Sequence, residues 1–146
     1  MTGANRGIGL EFARQLAARG DHVIATTRDP EKAGELELLG ERGNVRVMML
    51  DASDAESIDR LSHALEARPV DVLINNAGVS SDTRTLGAVS FEALEKVFRI
   101  NAHAPLMVTQ KLMENLRAGR RKTIVHISSQ LASITNNLAP GGGGSS

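Results

Sequence analysis

The stretch that most constrains this chain is its opening, Thr2-Gly3-Ala4-Asn5-Arg6-Gly7-Ile8-Gly9. Its three glycines stand directly before an amphipathic run in which Ile8, Phe12 and Leu16 recur at i, i+4 and i+8, with Ala13 and Ala17 beside them. That spacing predicts a helix with the Ile8, Phe12 and Leu16 stripe toward the core and Gly20 as its C′ residue. A glycine-rich turn that opens a helix is a phosphate-binding device. The first-turn N–H groups have no intrahelical acceptor, the helix dipole favours an anion, and glycine lets a pyrophosphate approach the backbone.

Strand-type and helix-type segments alternate after this loop. His22–Thr27 reads as a buried parallel strand, and Asp29-Pro30-Glu31 as N-cap, N1 and N2 of a short helix ending near Gly40. Val45–Leu50 is a second strand with Asp51 at its carboxyl end. Ser53-Asp54-Ala55-Glu56 reads as a capping box for a helix with Ile58, Leu61 and Leu65 on its core face. Val70–Ile74 is a third strand leading into Asn75-Asn76-Ala77-Gly78, and residues 79–89 read as loop. Ser90 then caps a long helix to about Gly119, and Thr123–Ile127 is a fourth strand ending at Ser128-Ser129.

Repeated βα alternation implies parallel strands, right-handed crossovers and a doubly wound sheet. Ligands of such sheets bind outside the carboxyl ends of the strands. Here those ends carry Arg28, Asp51, Asn75 to Gly78 and Ser128-Ser129, all small or polar. A loop of the opening type normally follows a strand, central in the order 3-2-1-4-5, yet only Met1 precedes Thr2. Losing about five buried apolar side chains, each contributing roughly 1.5–3 kcal/mol, rivals a typical net stability of about 5–15 kcal/mol. The expectation is a chain truncated at its N-terminus. The tail, residues 139–146, is rich in Gly and Ser and reads as a flexible linker or as a native loop cut short.

Composition narrows the function classes. The chain has 146 residues, 41% apolar and 23% charged, which suits one α/β domain. Lys+Arg and Asp+Glu both number 17, so charge gives no reason to expect nucleic acid or an anionic membrane as partner. No apolar run approaches the roughly 20 residues of a membrane span, and no signal-peptide pattern opens the chain. Cysteine is absent, which excludes thiolate chemistry and leans toward a cytoplasmic location. The histidines (His22, His63, His103, His126) lack metal-ligand spacing, so no metal is expected. Arg117, Arg120, Arg121 and Lys122 end a helix, where cations suit the dipole.

Thr-Gly-x-x-x-Gly-Ile-Gly resembles the cofactor loop of the short-chain dehydrogenases/reductases, and further motifs follow in that family's order. Leu50-Asp51 is similar to the segment whose aspartate contacts adenine, Asn75 to Gly78 to the family's NNAG motif, and Asn101 to its catalytic asparagine. Ile127-Ser128-Ser129 is similar to the strand end presenting the catalytic serine, Ser129 by register. The loop's Ala-Asn-Arg and the Ser-Ser-Gln-Leu-Ala-Ser after the strand look most like the C-factor and sniffer-type carbonyl reductase branch. The resemblance covers nearly all of residues 2–138 and implies a Rossmann-type αβα sandwich, here a partial domain over 1–138 without its first strand and C-terminal part. It implies cofactor contacts from Gly3, Asn5, Arg6, Gly7, Ile8, Gly9, Arg28, Asp51, Ala52, Asn75, Asn76, Ala77 and Gly78, and catalytic roles for Asn101 and Ser129.

Pro105 gives Asn101 a physical setting. Proline lacks an N–H, so the Asn101 carbonyl loses its i+4 partner and the helix is expected to kink there. In the family this carbonyl holds a water in a proton relay. For the cofactor, Thr27 occupies the position where NAD-preferring sites carry an acid, Arg28 follows, and Arg6 lies in the loop. Two guanidiniums suit a 2′-phosphate, so NADP(H) is preferred with NAD possible. The resemblance implies hydride transfer between that cofactor and a small carbonyl or alcohol, with a homo-oligomer as the full-length state. In the family the acid/base is a Tyr-x-x-x-Lys tyrosine, and this sequence contains no tyrosine. A noncatalytic nucleotide-binding or signalling module is the alternative.

Overall fold

The computed structural model describes residues 1–41, 43–80, 86–133 and 135. Helix α1 (Gly7–Ala18) leads to strand β1 (Val23–Thr27), a 3-10 turn (Pro30–Lys32), α2 (Gly34–Gly40) and β2 (Val45–Met49). After α3 (Ala55–Leu65) and β3 (Val72–Asn75) come a 3-10 turn (Leu86–Ala88), α4 (Phe91–Phe98), a π turn (Arg99–His103), α5 (Ala104–Lys111) and α6 (Met113–Ala118). Strand β4 (Thr123–His126) and a 3-10 turn (Gln130–Ala132) follow. The expected tail at 139–146 lies outside the described residues.

Among the described residues the strand pairing is parallel, as expected, in two two-stranded sheets, β1 with β2 and β3 with β4, parted where the central first strand was expected to be missing. Met1 to Ala4 bridge them. The Met1 amine donates to Ile24 O at 2.7 Å, and Met1 O accepts from Thr26 N at 3.0 Å. Ala4 N donates to Thr26 O and Thr2 N to Ile74 O, each at 2.9 Å. The order β2-β1-(residues 1–4)-β3-β4 is therefore the expected one, with a short bridge in the central lane.

Helices cover both faces. Val23 and Ala25 of β1 join Ala13 and Ala17 of α1 and Leu36 and Leu39 of α2 in one buried cluster. Between them, Ile24 packs on a second cluster of Leu61 and Leu65 of α3, Val108 of α5 and Leu116 of α6. The pleat sends alternate side chains to opposite faces, so one strand serves both clusters.

Several local expectations are corrected. Ile8 is 62% exposed, and the buried stripe of α1 is Gly9, Ala13 and Ala17, small residues that let the helix lie close to the strands. Helix α3 keeps its expected core face, but Asp54 is its N-cap, accepting from Glu56 N at 3.0 Å. Ser53 is drawn instead to the Asp51 carboxylate, at 2.6 Å through its hydroxyl, so no capping box forms. Asp29 pairs with Lys32 Nζ at 2.8 Å and makes no side-chain cap; the α-helix begins only at Gly34. The segment expected as one helix over 91–119 is interrupted by the π turn and again at Leu112.

Candidate functional site

Two loops at the carboxyl ends of the strands are locked to each other. Thr2 Oγ1 accepts from the Asn76 and Ala77 N–H groups, both at 3.0 Å. Asn76 Nδ2 donates to Thr2 O at 3.1 Å and Gly3 O at 2.8 Å. Gly3 has φ +65° and lies so close to the second loop that a Cβ there would stand 2.8 Å from the Ala77 Cα. A Cβ on Gly9 would overlap the Gly3 carbonyl and crowd Asn76 Nδ2. Both glycines are thus required by backbone approach.

Gly7 differs. Its φ is +54°, yet a Cβ would meet no protein atom within 4 Å. Open space therefore faces the start of α1. Arg6, the N-cap residue, is extended and makes no side-chain cap, and no acidic residue lies in the first turn. The first intrahelical bond runs from Leu10 N to Arg6 O. Asn5, Arg6, Gly7 and Ile8 are all exposed around this turn. An uncapped, acid-free helix start beneath an open face fits a dinucleotide pyrophosphate.

Asp51 lies at the next strand end. Its Oδ1 accepts from Ser53 N at 2.8 Å and from the Ser53 hydroxyl, and its N–H donates to Ser57 Oγ at 2.9 Å. Partial burial, the strongest single influence, pushes the carboxyl up. The Ser53 hydroxyl and amide, helped by Arg28, outweigh it and hold the group below the usual carboxylate range. Arg28 itself is exposed, and Ala52 is half-buried beside Asp51.

Asn75 is buried; its Nδ2 donates to Thr109 Oγ1 at 3.3 Å, 3.5 Å from His126 Nδ1, so it faces α5 and β4. Asn101 sits in the π turn and clamps the backbone after Gly78. Its Oδ1 accepts from Val79 N at 2.9 Å and its Nδ2 donates to Val79 O at 2.8 Å. Past the turn, Ala104 N donates to Arg99 O, five residues back. The expected kink is therefore a π turn, and the asparagine is held by its side chain as well as placed by Pro105. Ser128 and Ser129 are exposed just past β4, where Ile127 N donates to Asn75 O at 2.9 Å. Sequence reasoning did not single out Thr2 or Val79. Thr2, directly before the first glycine, had a readable signal; Val79 is used through its backbone and had none.

Parallel strands with helices on both faces and a glycine turn opening α1 define a dinucleotide-binding α/β protein. The short chain dehydrogenase family matches residues 1–141. The chain belongs to that family. It is 35% identical to the L-xylo-3-hexulose reductase of Hypocrea jecorina (strain QM6a) over 92% of this chain and 52% of the relative. An NADPH-bound carbonyl reductase from chicken fatty liver superposes with a TM-score of 0.83 at 32% identity, over 94% of this chain and 61% of that one. A protein assigned as the carbonyl reductase Sniffer of Caenorhabditis elegans gives 0.83 and 32%, over 94% and 65%. The chain thus spans about half the length of the curated relative. Among the described residues no helix is long and apolar enough to cross a membrane.

Proposed function

We propose that residues 1–138 are the nucleotide-binding part of a cytoplasmic, NADP(H)-dependent oxidoreductase that transfers hydride to a small carbonyl compound or from an alcohol. The observation that carries this is the uncapped start of α1 under open space, fixed against Asn76 and Ala77 by Thr2. In this reading the Gly7 to Gly9 turn holds the pyrophosphate, Asp51 and Ala52 meet the adenine, and Asn76 to Gly78 line the nucleotide's path. The cofactor, when bound, supplies the hydride. Ser129 hydrogen-bonds the substrate oxygen, and the Asn101 carbonyl, denied its i+4 donor by Pro105, holds a relay water.

The proton donor of such a reaction has no counterpart among these residues, since the sequence contains no tyrosine. The reading therefore assigns nucleotide binding to this chain and turnover to a protein of its relatives' length. A homo-oligomer belongs to the same reading: Phe91 and Phe98 of α4 are 80% and 59% exposed, an apolar row that a subunit contact would cover.

Cofactor choice rests on Arg28, which follows the uncharged Thr27, and on Arg6 at the loop. Arg28→Ala should weaken NADPH binding roughly ten- to hundredfold, the equivalent of one charge-assisted bond of about 1.5–3 kcal/mol. NADH binding should change little. Calorimetric titration of both nucleotides checks this, and equal weakening of the two would show that Arg28 acts on Asp51 rather than on a 2′-phosphate.

A further inference from the structure

A recess of about 170 Å³ lies between the loops that follow β2 and β3 and helix α5. Ala52, Ala77, Ala104 and Val108 are among its apolar walls, and Thr2 and Asn75 are its two polar side chains. Both are buried, at 4% exposure each. Each also carries one unmet hydrogen-bonding group. The Thr2 hydroxyl oxygen accepts from the Asn76 and Ala77 N–H groups, which occupies both its lone pairs. Its own proton is left without an acceptor among the described residues. Asn75 has the opposite need. Its Nδ2 is turned to Thr109 Oγ1 and His126 Nδ1, while its Oδ1 is buried and has no partner among the described residues. A spare donor and a spare acceptor thus belong to the same recess, with no bond between them.

We propose that a single buried water occupies this recess, accepting the Thr2 hydroxyl proton and donating to Asn75 Oδ1. Wholly apolar cavities stay dry, whereas a roomy polar one takes up water that serves groups otherwise left unpaired. Burying a donor and an acceptor without partners is costly at low dielectric, and one water meets both needs. The effect is positional. Thr2 begins the glycine loop and Asn75 begins the Asn75 to Gly78 turn, so the water adds a link beneath the direct bonds of Thr2 to Asn76 and Ala77. It depends on Thr2 and Asn75 alone, whether or not a nucleotide is bound.

The test is water-to-methyl NOE spectroscopy on the whole chain, labelled with carbon-13 at its alanine methyls. The Ala77 and Ala104 methyls, which line the recess, should show cross-peaks of the sign that marks a water outliving molecular tumbling. Ala13 and Ala25, buried in the cluster formed with α1 and α2, should show none. Asn75→Leu removes the acceptor at nearly constant volume and should abolish the Ala104 cross-peak. Absence of the Ala77 and Ala104 cross-peaks from the unaltered chain would overturn the proposal, whether or not the variant folds. Their persistence in folded Asn75→Leu would overturn it too, because the signal would then come from the Thr2 hydroxyl proton itself or from a water held elsewhere.

Discussion

Asn101 shows how one side chain can serve two elements. Its amide both donates to and accepts from Val79, so it ties the π turn to the loop after β3. Asn101→Ala removes both bonds and should cost about 1–2 kcal/mol, read as a lower denaturant midpoint at constant slope. An unchanged midpoint would mean that Val79 finds equivalent partners.

At the scale of elements, pattern was legible where side chains carried it. Ile58, Leu61 and Leu65 mark the core face of α3 both in the sequence and in the fold. On α1 the expected Ala13 and Ala17 are buried and Leu16 packs against them, but Ile8 is exposed and Gly9 takes its place on the contact face, a residue too small to show in a hydrophobic pattern. The Ser53 capping box failed because a nearby carboxylate, Asp51, is a stronger acceptor for its hydroxyl than a helix N–H is a donor to it. Pro105 was legible as a break, but the form of the break was not, since a missing N–H can be met by bending or by a π turn. Pro105→Ala restores that N–H. The turn should then relax toward α-helix, rotate Asn101 off Val79 and speed exchange at the Val79 amide. Unchanged protection of Val79 would show that the clamp, rather than the proline, holds the turn.

For the whole molecule, strand order and the polar edge were legible because each βα unit announces itself locally. The way Thr2 and Asn76 lock two distant loops was not, since 74 residues separate the partners and no pattern joins them. That lock leaves the first turn of α1 open and rigid, and the central claim is that a dinucleotide pyrophosphate binds there. Amide chemical shifts recorded during an NADPH titration test it most directly. Binding should move the Gly7, Ile8, Gly9 and Leu10 amides together with those of Asp51 to Ser53, and leave the far ends of the strands near Val45 and Val72 in place. Shifts confined to other surfaces, or none at saturating NADPH, would contradict the account.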